Sequence, residues 1–321
     1  MKKNNLKYAI GIDVGGTYTK IGALSSTGRL IVKKQIPTQA LLGPKDFVER
    51  VSVAVLEMEK SEKIKAAGLG LALAGAVDPK SGKILFAPNL KGWPNFDFKK
   101  AFAKKIGQRN FVVENDANAA VWGCYVLDFK RRAPNFLGLT LGTGLGGGIV
   151  IEDALYRGSA GSAAEIGHMR IVVGGELCHC GSRGCFEAYA GGYGILRTAR
   201  RMLSESPEKG KILSSLCPDP NALEPRHLSE AAEMGDVLSQ EVWAVTGRYL
   251  AAGIASLVMI FNPDGIYLLG GVSAAGRHLM DPLKKELENE PFRLPFLRAK
   301  IRMTENSDFG CRGAALLALE N

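Results

Sequence analysis

The chain is 321 residues long, 46% hydrophobic and 23% charged, the balance of a folded globular protein with room for two cores. Its net charge of +9 is scattered, with only short clusters such as Lys130-Arg131-Arg132 and Arg200-Arg201, which argues against a nucleic-acid partner. The opening MKKNNLKYAIGIDVGG is neither a signal nor a transit peptide, and the longest apolar stretch, residues 250–261, is too short to span a bilayer. A cytoplasmic protein without a membrane partner is expected, and there thiols stay reduced.

Residues 8–14 (YAIGIDV) read as a buried strand stopping at Gly15-Gly16, followed by strands over 20–24 and 29–36 around a turn at 25–28. This is a β-meander and not the strand–turn–helix of a Rossmann unit. Residues 46–59 carry Phe47, Val51, Val55 and Met58 at helical spacing. Residues 66–75 form a central strand, 107–113 lead another into ENDANAA, and 117–129 read as helix. The stretch 135–151 (NFLGLTLGTGLGGGIVI) then repeats the strand, glycine turn, strand pattern of the N-terminus, and ALYRG continues it. Long helical segments are expected over 187–203 and 226–260, a strand over 265–273, and a closing helix over 311–319. No low-complexity linker divides the chain. The repeat predicts a duplicated α/β architecture with a cleft between halves. The smaller lobe is expected over 1–117, with 301–321 returning to it, and the larger over 118–300, holding the cysteine loop.

Two glycine turns carry possible phosphate chemistry. In DVGGTYTK, Asp13 leaves a strand end and Gly15, Gly16, Thr17, Thr19 and Lys20 follow. In LGTGLGGG, Gly142, Thr143, Gly144 and Gly146 offer the same donors. Phosphate oxygens need convergent N–H groups and hydroxyls, and glycine removes the Cβ that would block them. Either turn alone could be an ordinary hairpin turn, and neither fits the Walker or Rossmann patterns. Together with Asp13 they fit a nucleotide phosphate chain, with Asp13 organising Mg²⁺, in part through water. In ENDANAA, Asp116 stands where a strand passes to a helix. It reads either as a helix cap or as a general base that takes the proton of a hydroxyl during phosphoryl transfer.

The stretch CHCGSRGCFE holds Cys178, Cys180 and Cys185, and His168 lies ten residues upstream of the first. The C-x-C pair alone could be buried thiols or a redox pair. With His168 it makes a Cys3His set suited to structural Zn²⁺, around which Gly181 and Gly184 let the loop wrap. His179 is expected to face solvent, and Cys124, Cys217 and Cys311 to be ordinary buried thiols.

In order along the chain, GIDVGGTYTKIGAL, GLALAGAVD, NLKGW, ENDANAA, LGTGLGGG, EIGH and CHCGSRGC-x-E resemble the signature of the ROK family of sugar kinases and sugar-responsive repressors. The sequence departs from that pattern at Ala74, where the family usually has Pro, and at Ala164, where many glucokinases have Gly. The resemblance runs from about residue 8 to the C-terminus and implies the two-lobed actin-like ATPase fold (hexokinase/Hsp70, ribonuclease H-like). It implies Asp116 as the base, and a sugar site of Asn89, Asn115, Asp116, Glu165, His168 and Glu187 with the backbone around Gly75. Taken singly, Asn89 could cap a turn and Glu165 could be a solvated helix residue, while Trp93 reads as packing. The zinc loop would hold His168 and Glu187 in place for the sugar. The glycine turn at Gly270 and Gly271 would lie beside the nucleoside, although a plain strand-to-helix turn reads the same locally.

The repressors of the family carry a helix-turn-helix segment ahead of the first phosphate turn. Here the first strand begins at Tyr8, so a kinase is expected over a regulator. Glucose is the expected sugar, with N-acetylmannosamine, fructose, mannose and allose as alternatives, and ATP is the expected donor. Family resemblance also implies a homodimer or homotetramer.

Overall fold

The computed structural model describes residues 6–78, 81–87, 90, 92–304 and 308–320. The strands are β1 (Tyr8–Val14), β2 (Tyr18–Ser25), β3 (Leu30–Pro37), β4 (Gly68–Leu73), β5 (Ala76–Val77), β6 (Ile84–Phe86), β7 (Asn110–Asn115), β8 (Phe136–Leu141), β9 (Leu145–Ile151), β10 (Ala154–Leu155), β11 (Gly265–Leu269) and β12 (Lys300–Thr304). The helices are α1 (Gly43–Glu62), α2 (Phe98–Ile106), α3 (Asp116–Leu127), α4 (Glu187–Ala190), α5 (Gly192–Glu205), α6 (Lys211–Leu216), α7 (Pro225–Glu233), α8 (Val237–Phe261), α9 (Arg277–Glu288) and α10 (Phe309–Glu320). The chain divides into two compact units, one of residues 1–132, 148–164 and 308–321, the other of 133–147 and 165–307.

The first unit is built on a sheet of order β3-β2-β1-β4-β7, with β1, β2 and β3 antiparallel and β1, β4 and β7 parallel. Alternation along the central strands explains its two faces. Ile10, Ile12 and Val14 of β1 and Leu69, Leu71 and Leu73 of β4 point to one side, where Phe47, Val51, Val55 and Met58 of α1 and the ring of Trp93 complete a core. Trp93 is wholly buried, 4.7 Å from Phe47 and 5.4 Å from Phe98 between ring centres, so it packs as the sequence led us to expect. The opposite side carries Gly11 and Gly70, and there α10 lies directly on the strands. A Cβ at Gly11 would stand 1.7 Å from the Cys311 carbonyl oxygen, and one at Gly70 would stand 1.9 Å from that of Ala314.

The unit boundaries therefore fall elsewhere than 117/118 and 300/301. Helix α3 joins the first unit because a Cβ at Gly313 would stand 1.7 Å from the Ala119 carbonyl, so α3 and α10 meet backbone to backbone.

The second sheet has the order β10-β9-β8-β11-β12, with β9 and β10 antiparallel and β8, β11 and β12 parallel, so the repeated pattern of the sequence recurs in the strands. Two long helices of the sequence reading are each broken. The first breaks at Gly191, which is extended (φ −75°, ψ 157°) between α4 and α5. The second breaks at Gly235 (φ 91°), after which Asp236 caps α8 by accepting from the Ser239 amide. Helix α8 is long and apolar enough to cross a membrane by length and composition, far longer than the 250–261 stretch suggested. Half of its most apolar window is buried against α5, α7 and α9, the pattern of a core helix.

Candidate active site and cysteine cluster

In the first unit, Asp13 is the penultimate residue of β1, in register with Lys20 across the β1–β2 pair. Its carboxylate lies against the first turn of α10, where a Cβ at Gly310 would stand 2.3 Å from Oδ2. Burial, and then the charge of Asp116, raise the Asp13 carboxyl to about 7, with Lys20 opposing. A buried carboxylate with a second carboxylate in electrostatic reach suits a divalent cation with oxygen ligands. Gly15, Gly16 and Thr17 are exposed on the turn that follows. Thr19 is not: it is wholly buried, its hydroxyl 2.9 Å from that of Thr38, which donates to the Gly15 carbonyl at 2.7 Å. Thr19 thus braces the turn from beneath.

The raised Asp13 carboxyl has a sign that can be tested. Between the ordinary carboxylate value and about 7 the folded chain holds a proton that the unfolded chain releases, so its contribution falls as pH rises through that window. Asp13→Asn should therefore stabilise the metal-free protein by about 2 kcal/mol at pH 8 after allowing for partial exposure, and by almost nothing near pH 4. Thermal melts of the two proteins across that range check it, and a gain independent of pH refutes it.

The junction of β7 and α3 is rigidly built. Asn115 is the cap of α3, accepting from the Asn118 amide at 3.0 Å, and its Nδ2 donates to the Gly75 carbonyl at 3.1 Å. Gly75 itself allows only glycine, with φ 156° and the Phe86 carbonyl 2.3 Å from where a Cβ would sit. Beneath them, buried Glu114 accepts from the Asn115 amide and Asn118 Nδ2 through Oε1 and from Arg157 at 2.7 Å through Oε2. Capping therefore falls to Asn115, and the half-buried Asp116 carboxylate sits at the first turn of α3, its Oδ1 accepting from the Ala117 amide at 2.9 Å. Asn89 lies outside the described residues.

In the second unit the turn between β8 and β9 carries Gly142, Thr143 and Gly144, the first two exposed, and Gly146 follows inside β9. Gly142 donates to the Gly144 carbonyl at 3.0 Å. The Gly270–Gly271 turn comes beside it, since Gly270 (φ 109°) leaves room for the Leu141 carbonyl, which would stand 2.4 Å from a Cβ there. Glu165 is exposed and begins the short 3₁₀ turn Ile166–His168. Just before it, Ala164 takes φ 66°, a left-handed conformation that costs a residue with a Cβ about 1–2 kcal/mol.

His168, Cys178, Cys180 and Cys185 bring their ligand atoms within 4.8 Å of one another. Cys180 and Cys185 sulfurs are 3.8 Å apart, and Cys178 lies 3.9 Å from His168 Nδ1. A tetrahedral ion with Zn–S bonds of about 2.3 Å sets its sulfurs about 3.8 Å apart, so the donor set fits zinc. Burial, then Cys180 and Cys178, push the Cys185 thiol up to about 12, while hydrogen bonding at the Ser182 backbone pulls Cys180 down. A cation relieves that crowding. Gly181 and Gly184 have φ 87° and 80°, and the Val172 carbonyl would lie 1.7 Å from a Cβ at Gly184. His179 is exposed and stacked on Tyr193, outside the ligand set.

Glu187 spans this region. Its Oε2 accepts from the Leu145 amide at 3.0 Å, inside the glycine turn, and its Oε1 lies 3.6 Å from Cys178 Sγ and 3.4 Å from the Tyr193 hydroxyl. Tyr193 and Asp308 are absent from the sequence reading. Asp308 sits 3.9 Å from Lys20 and 2.8 Å from Lys33, and its charge bears on Asp13. An aspartate just ahead of a helix was the available signal for it, but that signal speaks of a cap.

A model of the ROK family matches residues 9–321. The glucokinase of Streptomyces coelicolor is 37% identical over 277 residues, 86% of this chain and 86% of its own. That of Thermotoga maritima is 34% identical over 280 residues, 87% and 86% of the two chains. Among solved structures, a ROK family glucokinase from Streptomyces griseus in complex with glucose and AMPPNP matches with a TM-score of 0.84 at 35% identity, covering 99% of this chain and 100% of that one. The α/β fold is that of the actin-like ATPases, as the sequence resemblance implied.

Proposed function

The chain belongs to the ROK family, and from that premise we propose that this sugar kinase is a glucokinase, passing the γ-phosphoryl group of ATP to the 6-hydroxyl of glucose. The observation that carries the reading is the start of α3, where Asn115 does the capping and Asp116 sits in electrostatic reach of Asp13. Asp116 is the general base. Its carboxylate takes the 6-hydroxyl proton as that oxygen bonds to the γ-phosphorus and ADP departs. Asp13 would hold Mg²⁺, in part through water, and the ion when bound would offset phosphate charge. The backbone amides and hydroxyls of Gly15, Gly16, Thr17, Gly142, Thr143, Gly144 and Gly146, with Lys20, hold the phosphates, and the Gly270–Gly271 turn borders the nucleoside.

Asn89, Asn115, Glu165, His168 and Glu187, with the Gly75 backbone, select the sugar. A site that hydrogen-bonds a hydroxyl rejects a sugar lacking it, because the site's own polar groups are left unpaired. The rigid Asn115–Gly75 contact supports this assignment. A structural Zn²⁺ on His168, Cys178, Cys180 and Cys185 orders the loop that carries Glu187 and takes part in no chemical step. The enzyme is placed in the cytoplasm, as a homodimer or homotetramer that uses sugar and ATP alone.

A coupled ADP-release assay with Mg-ATP against a panel of hexoses tests the proposal. Glucose should give the highest kcat/KM. Another preferred hexose would keep the kinase and replace the substrate, and absence of turnover with every sugar would refute the reading.

A further inference from the structure

The cysteine loop and the β8–β9 turn form one hydrogen-bonded assembly, and we propose that Tyr193 is the positioning residue that couples them, so that metal at the Cys3His cluster sets nucleotide affinity as well as sugar binding. The proposal rests on the assignments of zinc and ATP above.

Three contacts join the turn to the segment after Cys185. The Gly192 amide donates to the Gly142 carbonyl at 2.9 Å, and the Tyr193 amide to the Thr143 carbonyl at 3.1 Å. Glu187 Oε2 accepts from the Leu145 amide at 3.0 Å, and can do so only because Gly144 has no Cβ, which would stand 2.1 Å from that oxygen. The turn at Ile166–His168 closes on the same place, for a Cβ at Gly167 would lie 1.9 Å from the Leu145 carbonyl. In a planar trans peptide the C=O and the following N–H point in opposite directions. Drawing the carbonyls of Gly142 and Thr143 onto the start of α5 therefore aims the amides of Thr143 and Gly144 the other way. Those amides are the donors a phosphate oxygen needs. The orientation of the turn is thus inherited from the start of α5.

What holds the start of α5 is the hydroxyl of Tyr193. It lies 3.5 Å from Cys178 Sγ and 3.4 Å from Glu187 Oε1, while its ring stacks on His179 with centres 3.9 Å apart. One side chain therefore touches a metal ligand, the carboxylate that ties Leu145, and, through its own backbone amide, the turn itself. Outer partners of metal ligands govern metal retention by about 10–100-fold. Here the same partner also governs the direction of the phosphate donors.

The test uses the zinc-loaded full chain and Tyr193→Phe, which keeps the ring and its stack but removes the hydroxyl. Mg-ADP affinity is measured by calorimetry without sugar, and metal loss is followed by a chromogenic chelator in excess. The variant should bind Mg-ADP about fivefold or more weakly and release metal about tenfold or more faster. Chelator-stripped wild type should show the same weakening, and stripping Tyr193→Phe should weaken it little further. His179→Ala, which removes only the stack, should match wild type. An Mg-ADP affinity within twofold of wild type for Tyr193→Phe overturns the proposal, and so does an equal loss in His179→Ala. Wild-type protein that carries no zinc or binds no Mg-ADP would instead overturn the assignments on which it rests.

Discussion

With Asp116 as the proposed base, Asp116→Asn should lower kcat for glucose and ATP by about 10²–10⁴-fold while leaving both KM values within a few fold. The amide fills the same space at the first turn of α3 and leaves the Asn115 cap and the Asn115–Gly75 contact untouched, so the loss reports proton acceptance and not collapse of the site. The substitution has a second, independent readout. Because Asp116 is one of the charges that raise the Asp13 carboxyl toward 7, removing it lowers that value. Mg²⁺ affinity then reaches its plateau at lower pH in the variant. Steady-state kinetics and a pH titration of Mg²⁺ binding check the two effects separately. A kcat within tenfold of wild type would remove Asp116 from the role of base.

Arg109→Met should destabilise the protein by about 3–5 kcal/mol, roughly 10 °C in Tm, although the residue lies outside the proposed catalytic set. Glu59 stands in the last turns of α1 with its side chain 10% exposed, and Arg109, 6% exposed, precedes β7. The guanidinium grips both carboxylate oxygens and also reaches the carbonyls of Ile106 and Ala66, while the Ala66 amide donates to Glu59 Oε1 at 2.7 Å. Removing the arginine strands a carboxylate inside the first unit. Burial alone pushes Glu59 upward, and Arg109 with the Ala66 amide outweighs it and holds the carboxyl below its ordinary value. In wild type this contribution is present above the ordinary glutamate range and fades as pH falls through the lowered folded value. Without Arg109 the burial effect prevails, so the deficit should be larger at pH 7 than at pH 4. Denaturant melts at both values measure it. A deficit below 1 kcal/mol would mean that the pair is replaceable.

The legible parts of this fold share one trait: their signal is local. Strand β1 matches its expected residues, and β2 and β3 fall within two residues of theirs, because apolar runs are punctuated by Gly15-Gly16 and the turn at 25–28. The cluster of His168 with Cys178, Cys180 and Cys185 was legible because three of the four lie within eight positions. The breaks at Gly191 and Gly235 were missed because apolar spacing continues across both, and only the backbone angles record them. Helices α2 and α9 escaped notice because each shows about one apolar residue per turn, Phe98, Phe102 and Ile106 in one and Leu279, Leu283 and Leu287 in the other, among many charges. Residues that act across long separations were invisible in principle. Glu187 reaches the Leu145 amide 42 positions earlier, and Asp308 reaches Lys33 across 275. No spacing rule connects such partners, since the pairing is made by the sheets.

The seating of α10 on Gly11 and Gly70 bears on how the protein is made. The sheet of the first unit is translated early, yet the helix that covers one of its faces is translated only after the second unit, and Asn110 Nδ2 donates to the Ala318 carbonyl 208 positions away. On the ribosome, β1 and β4 must wait with that glycine-lined face bare while the whole second unit emerges. Their companions on the other face, α1 and α2, are already present. The sheet of the first unit is thus synthesised half-covered and closes only once α10 has followed the second unit, which makes that helix the keystone of assembly and the interval before it appears the period of greatest exposure to aggregation and proteases.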